Sequence, residues 1–165
     1  MAEVSESAAA AKIAMAEISA AAAIIPAAWP IAQIVYFNQC DPQAMMAAAA
    51  KWLDMYDQLS TTKNDLDDAR GQTTATQWAG DDREAFEGYV DKYQWQLFAT
   101  QMVSITVGTT VMVVSGMLLI LIIAYTVLST ILFAFAAFIV AAGATVVGAP
   151  AAASAMVTAN TIAAE

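Results

Sequence analysis

From Tyr93 to Ala164 the chain contains no Asp, Glu, Lys or Arg. A stretch of that length cannot cover itself with charge, so it must be enclosed by lipid or by other protein. The composition points the same way, with 60% hydrophobic residues and a mean hydropathy of +0.60, high for a water-soluble domain. All six basic residues and every acidic residue except Glu165 precede Tyr93. The chain is therefore expected to divide into an acidic part that meets water and an uncharged part that does not.

The uncharged part reads as helix. Met102–Ala149 would extend about 72 Å at ~1.5 Å per residue, against about 30 Å of hydrocarbon, so two crossings fit. A reversal is expected near Ala124-Tyr125-Thr126, with spans of about 103–124 and 126–148. No charge at that tip opposes insertion, where each Asp, Lys or Arg would cost roughly 2.5–3.5 kcal/mol at the bilayer centre. Ser104 and Gly108 on the first span, and Ala137, Ala141, Thr145 and Ala149 on the second, form small-residue stripes that let helices approach closely. They are the expected packing surfaces of the membrane helices.

Upstream, residues 41–101 read as two antiparallel helices. Asp41 is a good N-cap and Pro42 suits the first helical position, because the N–H that proline lacks is unsatisfied there in any residue. Met45, Trp52, Leu59 and Leu66 then recur at heptad spacing, with Ala48, Met55, Thr62 and Ala69 three residues behind each, and Asp54, Asp57, Lys63, Asp65, Asp67 and Asp68 opposite. Arg70 and Gly71 are suited to end this helix at about residue 70. After a break over 71–80, Asp81 as N-cap and Glu84 three residues on open a second helix. Its seam is Phe86, Val90, Tyr93 and Leu97, and nothing stops it before the apolar run.

Residues 1–40 are apolar and Ala-rich, with a helix expected over 8–25. Ile18–Phe37 carries no charge and is long enough for a third span, but Pro26 and Pro30 interrupt it; the alternative is a kinked helix packed against the rest, with Trp29 and Tyr36 as interfacial anchors. Residues 150–165 form an Ala-rich tail. The acidic start of the chain lacks the basic region of a secretory signal peptide.

The residues give catalysis little material. There is no His, and Cys40 is alone, so no imidazole is present to activate a nucleophile or hold a metal. No Gly-rich phosphate loop occurs, and Asp65, Asp67, Asp68, Asp81 and Asp82 read as a solvated face rather than a cation site. The expectation is a protein that is not an enzyme, with no cofactor, metal or small-molecule substrate. A net charge of −9 also disfavours nucleic acid.

At the turn between the two helices stands Trp78-Ala79-Gly80, followed by Asp81-Asp82 and Phe86, and preceded by a long helix that opens with Asp41-Pro42. With Trp29-Pro30 and Ala50-Lys51-Trp52 upstream, residues 29–100 resemble the WxG family of type VII (ESX) secretion substrates, in particular the WxG-type N-terminal domains of actinobacterial channel and toxin proteins. The resemblance implies an all-α fold: a WxG-like antiparallel helical hairpin over 41–101 whose second helix continues into a hydrophobic transmembrane helical hairpin over 102–149. It implies that Trp78 and Gly80, with Phe86 beside them, form a partner-binding motif for another WxG-type subunit. The chain departs from the family pattern in lacking a Tyr-x-x-x-Asp/Glu export signal, since Tyr89 is followed at that spacing by Tyr93, and Tyr93 by Leu97.

The expected function is pairing with a WxG-type partner or with itself, followed by membrane insertion and oligomerisation as a pore or channel. On the family resemblance the protein would be membrane-associated and secreted by a type VII system of an actinobacterium. Two alternatives stand beside it: a resident membrane adaptor or scaffold that docks a secretion or toxin partner, and a structural subunit of a large helical oligomer.

Overall fold

Alanine and proline together decide the first part of the chain. In the computed structural model, which describes residues 6–72 and 78–165, the Ala-rich segment forms α1 (Glu6–Ala22). Proline disfavours helical geometry in the residue before it. Accordingly Ile25 is extended (φ −109°, ψ 97°), and a 3-10 turn over Pro26–Ala28 leads into α2 (Trp29–Phe37). Ile18–Phe37 is thus broken into pieces, and α2, with 9 residues, reaches only about 14 Å. A continuous third span is absent. The side-chain amide of Asn38 closes α2 by donating to the Ile34 carbonyl at 2.8 Å.

α3 (Pro42–Gln72) opens with Asp41 Oδ1 accepting the Ala44 N–H at 3.1 Å and Pro42 at its first position. It continues through Gly71, so the expected terminator lies within the helix. Most of the expected break, residues 73–77, lies outside the described residues. α4 (Asp81–Gly143) follows Gly80, the one described residue with positive φ (+122°) apart from helix geometry. The Gly80 carbonyl accepts the Arg83 N–H at 3.0 Å. Asp81 therefore sits in the first turn rather than at the cap, where it, Asp82 and Glu84 favour the positive helix end.

α4 is one helix of 63 residues, which corrects the expected reversal at Ala124-Tyr125-Thr126. Nothing in that segment can break a helix: it lacks Gly and Pro, and the Thr126 hydroxyl bonds back to the Ile122 carbonyl at 2.8 Å, a bond a helix accommodates. The chain turns only after Gly143. Thr145 Oγ accepts the Gly148 N–H at 3.0 Å, and Val146 and Val147 stand out at the tip. The expected C-terminal tail is α5 (Ala149–Ala164). Its Ala-rich sequence is a strong helix former, and Pro150 lies in its first turn, where proline is tolerated.

The chain comprises two compact units. One is formed by Met45–Val114, hence by most of α3 and the first half of α4. Arg70 pairs with Glu87 and Asp91, Asp67 accepts a hydrogen bond from Gln94, and Leu53 lies against Gly108. As α3 positions fall, their α4 partners rise, so the two segments run antiparallel.

The other unit joins the described residues of Met1–Ala44 to Ser115–Glu165. Its core is built from Ile18, Ala21, Ile25 and Ala28, from Leu132, Ala136 and Ile139 of α4, and from Ala152, Ala155 and Ala159 of α5. Alanine dominates this core, so helix backbones approach closely. Asn160 ties α5 to the 3-10 turn by accepting the Ala27 N–H at 3.3 Å, while its amide donates to Met156 O.

Candidate interaction and membrane surfaces

The α4 seam keeps Val90 and Leu97 of the expected set, while Phe86 and Tyr93 are exposed and the next residues, Glu87 and Gln94, are the more covered. Val90 and Leu97 are buried, whereas Tyr93 is 49% exposed and Gln94 turns inward. On α3 the displacement is confined to part of the second column. Met45, Leu59 and Leu66 are half-buried and Trp52 lies at the margin of exposure; in the second column Met55 is half-buried like Tyr56 beside it, while Ala48, Thr62 and Ala69 are exposed and Ala49, Lys63 and Arg70 are the more covered. Two facts select this register. Gly108 and the buried Ala49 let the helices come close, and Leu53 fills the space over Gly108. Cross-helix polar pairs then need their partners on facing positions. Lys63, expected on the solvent face, is half-buried and pairs with Asp67 at 3.3 Å.

The turn motif is held by side chains on both sides. The Trp78 and Phe86 rings lie 5.2 Å apart at 49°, a tilted pair that fixes the indole over the first turns of α4. Arg83 donates to the Trp78 carbonyl at 3.2 Å and reaches Glu87 at 3.7 Å. Glu87 in turn meets Arg70, which also donates to Asp91 at 2.8 Å. The Asp91 hydrogen bond is the main reason the Arg70 pKa is raised, and the fields of Asp91 and Glu87 add to it against partial desolvation. Sequence reasoning missed Arg70, Arg83 and Glu87 as a set. The i,i+4 interval of Arg83 and Glu87 on α4 and the place of Arg70 at the end of α3 carried that signal.

Along α4 large apolar residues occur on the exposed side as well as on the covered side, which holds Val90, Leu97, Ile122, Leu132 and Ile139 together with several polar residues. Within the α3–α4 unit the covered line includes Gln94, Gln101, Ser104 and Gly108, while Trp95, Phe98, Met102 and Val113 are exposed. Within the other unit Ser115 and Ser129 are fully covered, while Met117, Ile120 (70% exposed), Ile123 and Phe138 face outward. Among the described helices α4 is the one long and apolar enough to cross a membrane. Its most apolar window has mean hydropathy 2.7, and only 11% of that window is buried. By length and composition this helix suits a membrane, and its exposed apolar face differs from that of a soluble core helix, which hides its apolar residues.

The two expected membrane stripes fare differently. Ser104 and Gly108 are buried, against α3. Ala137, Ala141, Thr145 and Ala149 are exposed, and the face packed into the core with α1 and α5 is the neighbouring one, Leu132, Ala136 and Ile139; a methyl placed at Gly143 would stand 3.8 Å from that of Ala152. Spacing in fours identified small residues, but the large Leu132 and Ile139 set the packed face by gaining more from burial. Among the described residues no three His, Cys, Asp or Glu side chains gather into a metal-holding group. No family model matches this chain, and no curated protein or solved structure shows significant similarity to it.

Proposed function

We propose that this chain is a non-enzymatic membrane-inserting protein that recognises a second helical-hairpin subunit through its Trp-x-Gly turn, in the manner of type VII secretion substrates of the WxG type. The observation that carries the membrane part is the exposed apolar face of α4, with Met117, Ile120 and Ile123 outward while Ser104, Ser115 and Ser129 are covered. In hydrocarbon that arrangement is stabilising, since apolar side chains face lipid while small and hydroxyl residues face neighbouring helices. The uncharged tip at Val146 and Val147 can enter a bilayer from one side. The exposed stripe Ala137, Ala141, Thr145 and Ala149 then offers a close-approach surface to a second copy in a pore or channel.

The pairing part is supported by the Trp78–Phe86 contact and the positive φ of Gly80, a conformation that side chains other than glycine rarely adopt. A resident membrane adaptor is the second reading, favoured by the acidic surface of α3, where Asp54, Asp57, Asp65 and Asp68 are exposed and free to dock a basic partner.

Vesicle flotation and dye release with the purified chain, combined with protease protection of α4, test the membrane part. Bound protein with protected α4 is the expected result; a stable soluble oligomer without lipid binding refutes it. For pairing, Trp78→Ala is expected to abolish co-purification with a co-expressed WxG-type subunit, and unchanged pairing reduces the motif to a packing detail.

A further inference from the structure

In the unit formed by α1, α2, α5 and the second half of α4, one carboxylate joins α1 to the uncharged part of α4. Glu17 of α1 is half-buried, and its Oε2 lies 3.2 Å from Ser129 Oγ and 2.8 Å from Thr130 Oγ1. Each of these hydroxyls also lies 2.9 Å from the Thr126 carbonyl oxygen. A hydroxyl owns one hydrogen. With Glu17 ionised, two hydrogens serve four oxygen–oxygen contacts, and two of the contacts set oxygen against oxygen with nothing between. A proton on Glu17 supplies a third hydrogen: the acid donates to one hydroxyl, and that hydroxyl passes its own hydrogen to Thr126 O.

Among the described residues nothing around Glu17 offers a counter-charge. The α4 segment from Ser115 onward and α5 carry no Asp, Glu, Lys or Arg, and Tyr125 is the titratable group on the facing part of α4. α2 contributes Tyr36, and Cys40 and Asp41 lie toward the other end of α1, beside Ala8, Ala11 and Lys12. On α1 itself, Lys12 is exposed and about 140° around the helix from Glu17, and Glu6 is a further turn and a half away. Among the described residues no Lys or Arg forms an ion pair with Glu17. Ser129 is about 21 Å along α4 from its end at Gly143, within the uncharged run. A bilayer that takes up this part of α4 therefore takes up Glu17.

We propose that Glu17, Ser129 and Thr130 form a proton-binding site, and that protonation at Glu17 licenses entry of this unit into the bilayer. The inference rests on the membrane reading above. Its direction follows from solvation: an ionised carboxylate among helices in hydrocarbon is penalised and the neutral acid is not, so the inserted state binds the proton more tightly and acid favours insertion.

The test is flotation of the full chain with vesicles of zwitterionic lipid, from neutral to acid pH, comparing wild type with Glu17→Gln. Glutamine keeps the shape and supplies the missing hydrogens without a proton from solvent. The wild type is expected to bind increasingly as pH falls. Glu17→Gln is expected to bind at neutral pH roughly tenfold or more above wild type and to lose most of the pH dependence. Glu84→Gln, exposed in the first turn of α4, should follow the wild-type curve. Infrared spectra give an independent readout: a protonated-carboxyl band should persist in vesicle-bound wild type returned to neutral pH, where exposed carboxylates ionise. A Glu17→Gln curve that coincides with wild type, or a band that vanishes on that return, overturns the proton site and leaves the membrane reading standing. Failure of both proteins to bind at any pH overturns the membrane reading and this site together.

Discussion

A methyl group added at Gly108 would stand 2.8 Å from Leu53 Cδ2, 3.0 Å from Leu53 Cγ and 3.3 Å from the Ala49 carbonyl oxygen. Carbon atoms rest at about 3.5–4.0 Å, so Gly108→Ala requires Leu53 to retreat by roughly 1 Å, an overpacking loss of about 1–3 kcal/mol. Against this, alanine is more favourable than glycine inside a helix by ~0.8–1.0 kcal/mol. The net expectation is a loss of about 0–2 kcal/mol. Gly88 lies in the same helix with nothing within 4 Å of the position a methyl would take. There only the helix preference acts, and Gly88→Ala is expected to gain up to ~1 kcal/mol.

The same chemical change should thus have opposite signs at two positions. Leu53→Ala removes the obstructing atoms, so Gly108→Ala introduced after it should recover the helix gain, with a coupling of about 1–3 kcal/mol in the double-mutant cycle. Denaturant unfolding in detergent, followed by far-ultraviolet circular dichroism, measures all four proteins. Equal signs at Gly88 and Gly108, with no coupling to Leu53, refute the close approach of α3 to α4.

Three further outcomes are expected. Ile120→Arg places a charge on the outward face of α4; at about 2.5–3.5 kcal/mol near the bilayer centre, vesicle partition should fall on the order of a hundredfold while helicity in detergent is kept, and unchanged partition counts against lipid contact. Gly148→Ala puts a methyl 2.6 Å from Thr145 Oγ1 and 3.0 Å from the Ala142 backbone carbon, and backbone cannot retreat as a leucine tip does. Faster amide exchange through α5 and a loss of about 1–3 kcal/mol should follow, whereas native exchange rates speak against this turn. Arg83→Ala removes the donor to the Trp78 carbonyl, with an expected cost of about 1 kcal/mol in the half-exposed setting, and Arg83→Lys should restore only part, because an ammonium cannot hold Trp78 O and Glu87 with a planar fork. Equal stability of all three proteins, measured by denaturant unfolding, would remove Arg83 from the turn.

Much of the helix content was legible in local chemistry. Asp41-Pro42 announced α3, Pro26 announced the break before α2, and the absence of charge after Tyr93 announced a chain that shuns water. Each follows from properties a residue carries by itself: a missing N–H, a capping oxygen, a cost of solvation. The end of α4 was less legible, because strong helix formers without Gly or Pro leave the helix no local reason to stop at residue 124, and two crossings were inferred from membrane thickness instead. The last residues of the chain looked like a tail because alanine is the same in a tail and in a core.

The sequence by itself thus determined that the chain is helical, where it carries charge and which segment needs an apolar environment. Only the tertiary structure decided which side of each helix is covered. It turned Gln94 inward and Tyr93 outward, set Leu53 over Gly108, and brought Glu17 to Ser129 and Thr130 more than a hundred positions away. The reason is physical: along α4 apolar residues occur on every side, so hydrophobicity no longer distinguishes faces. The choice passes to side-chain volume and to hydrogen-bond partners, which exist only once two helices meet.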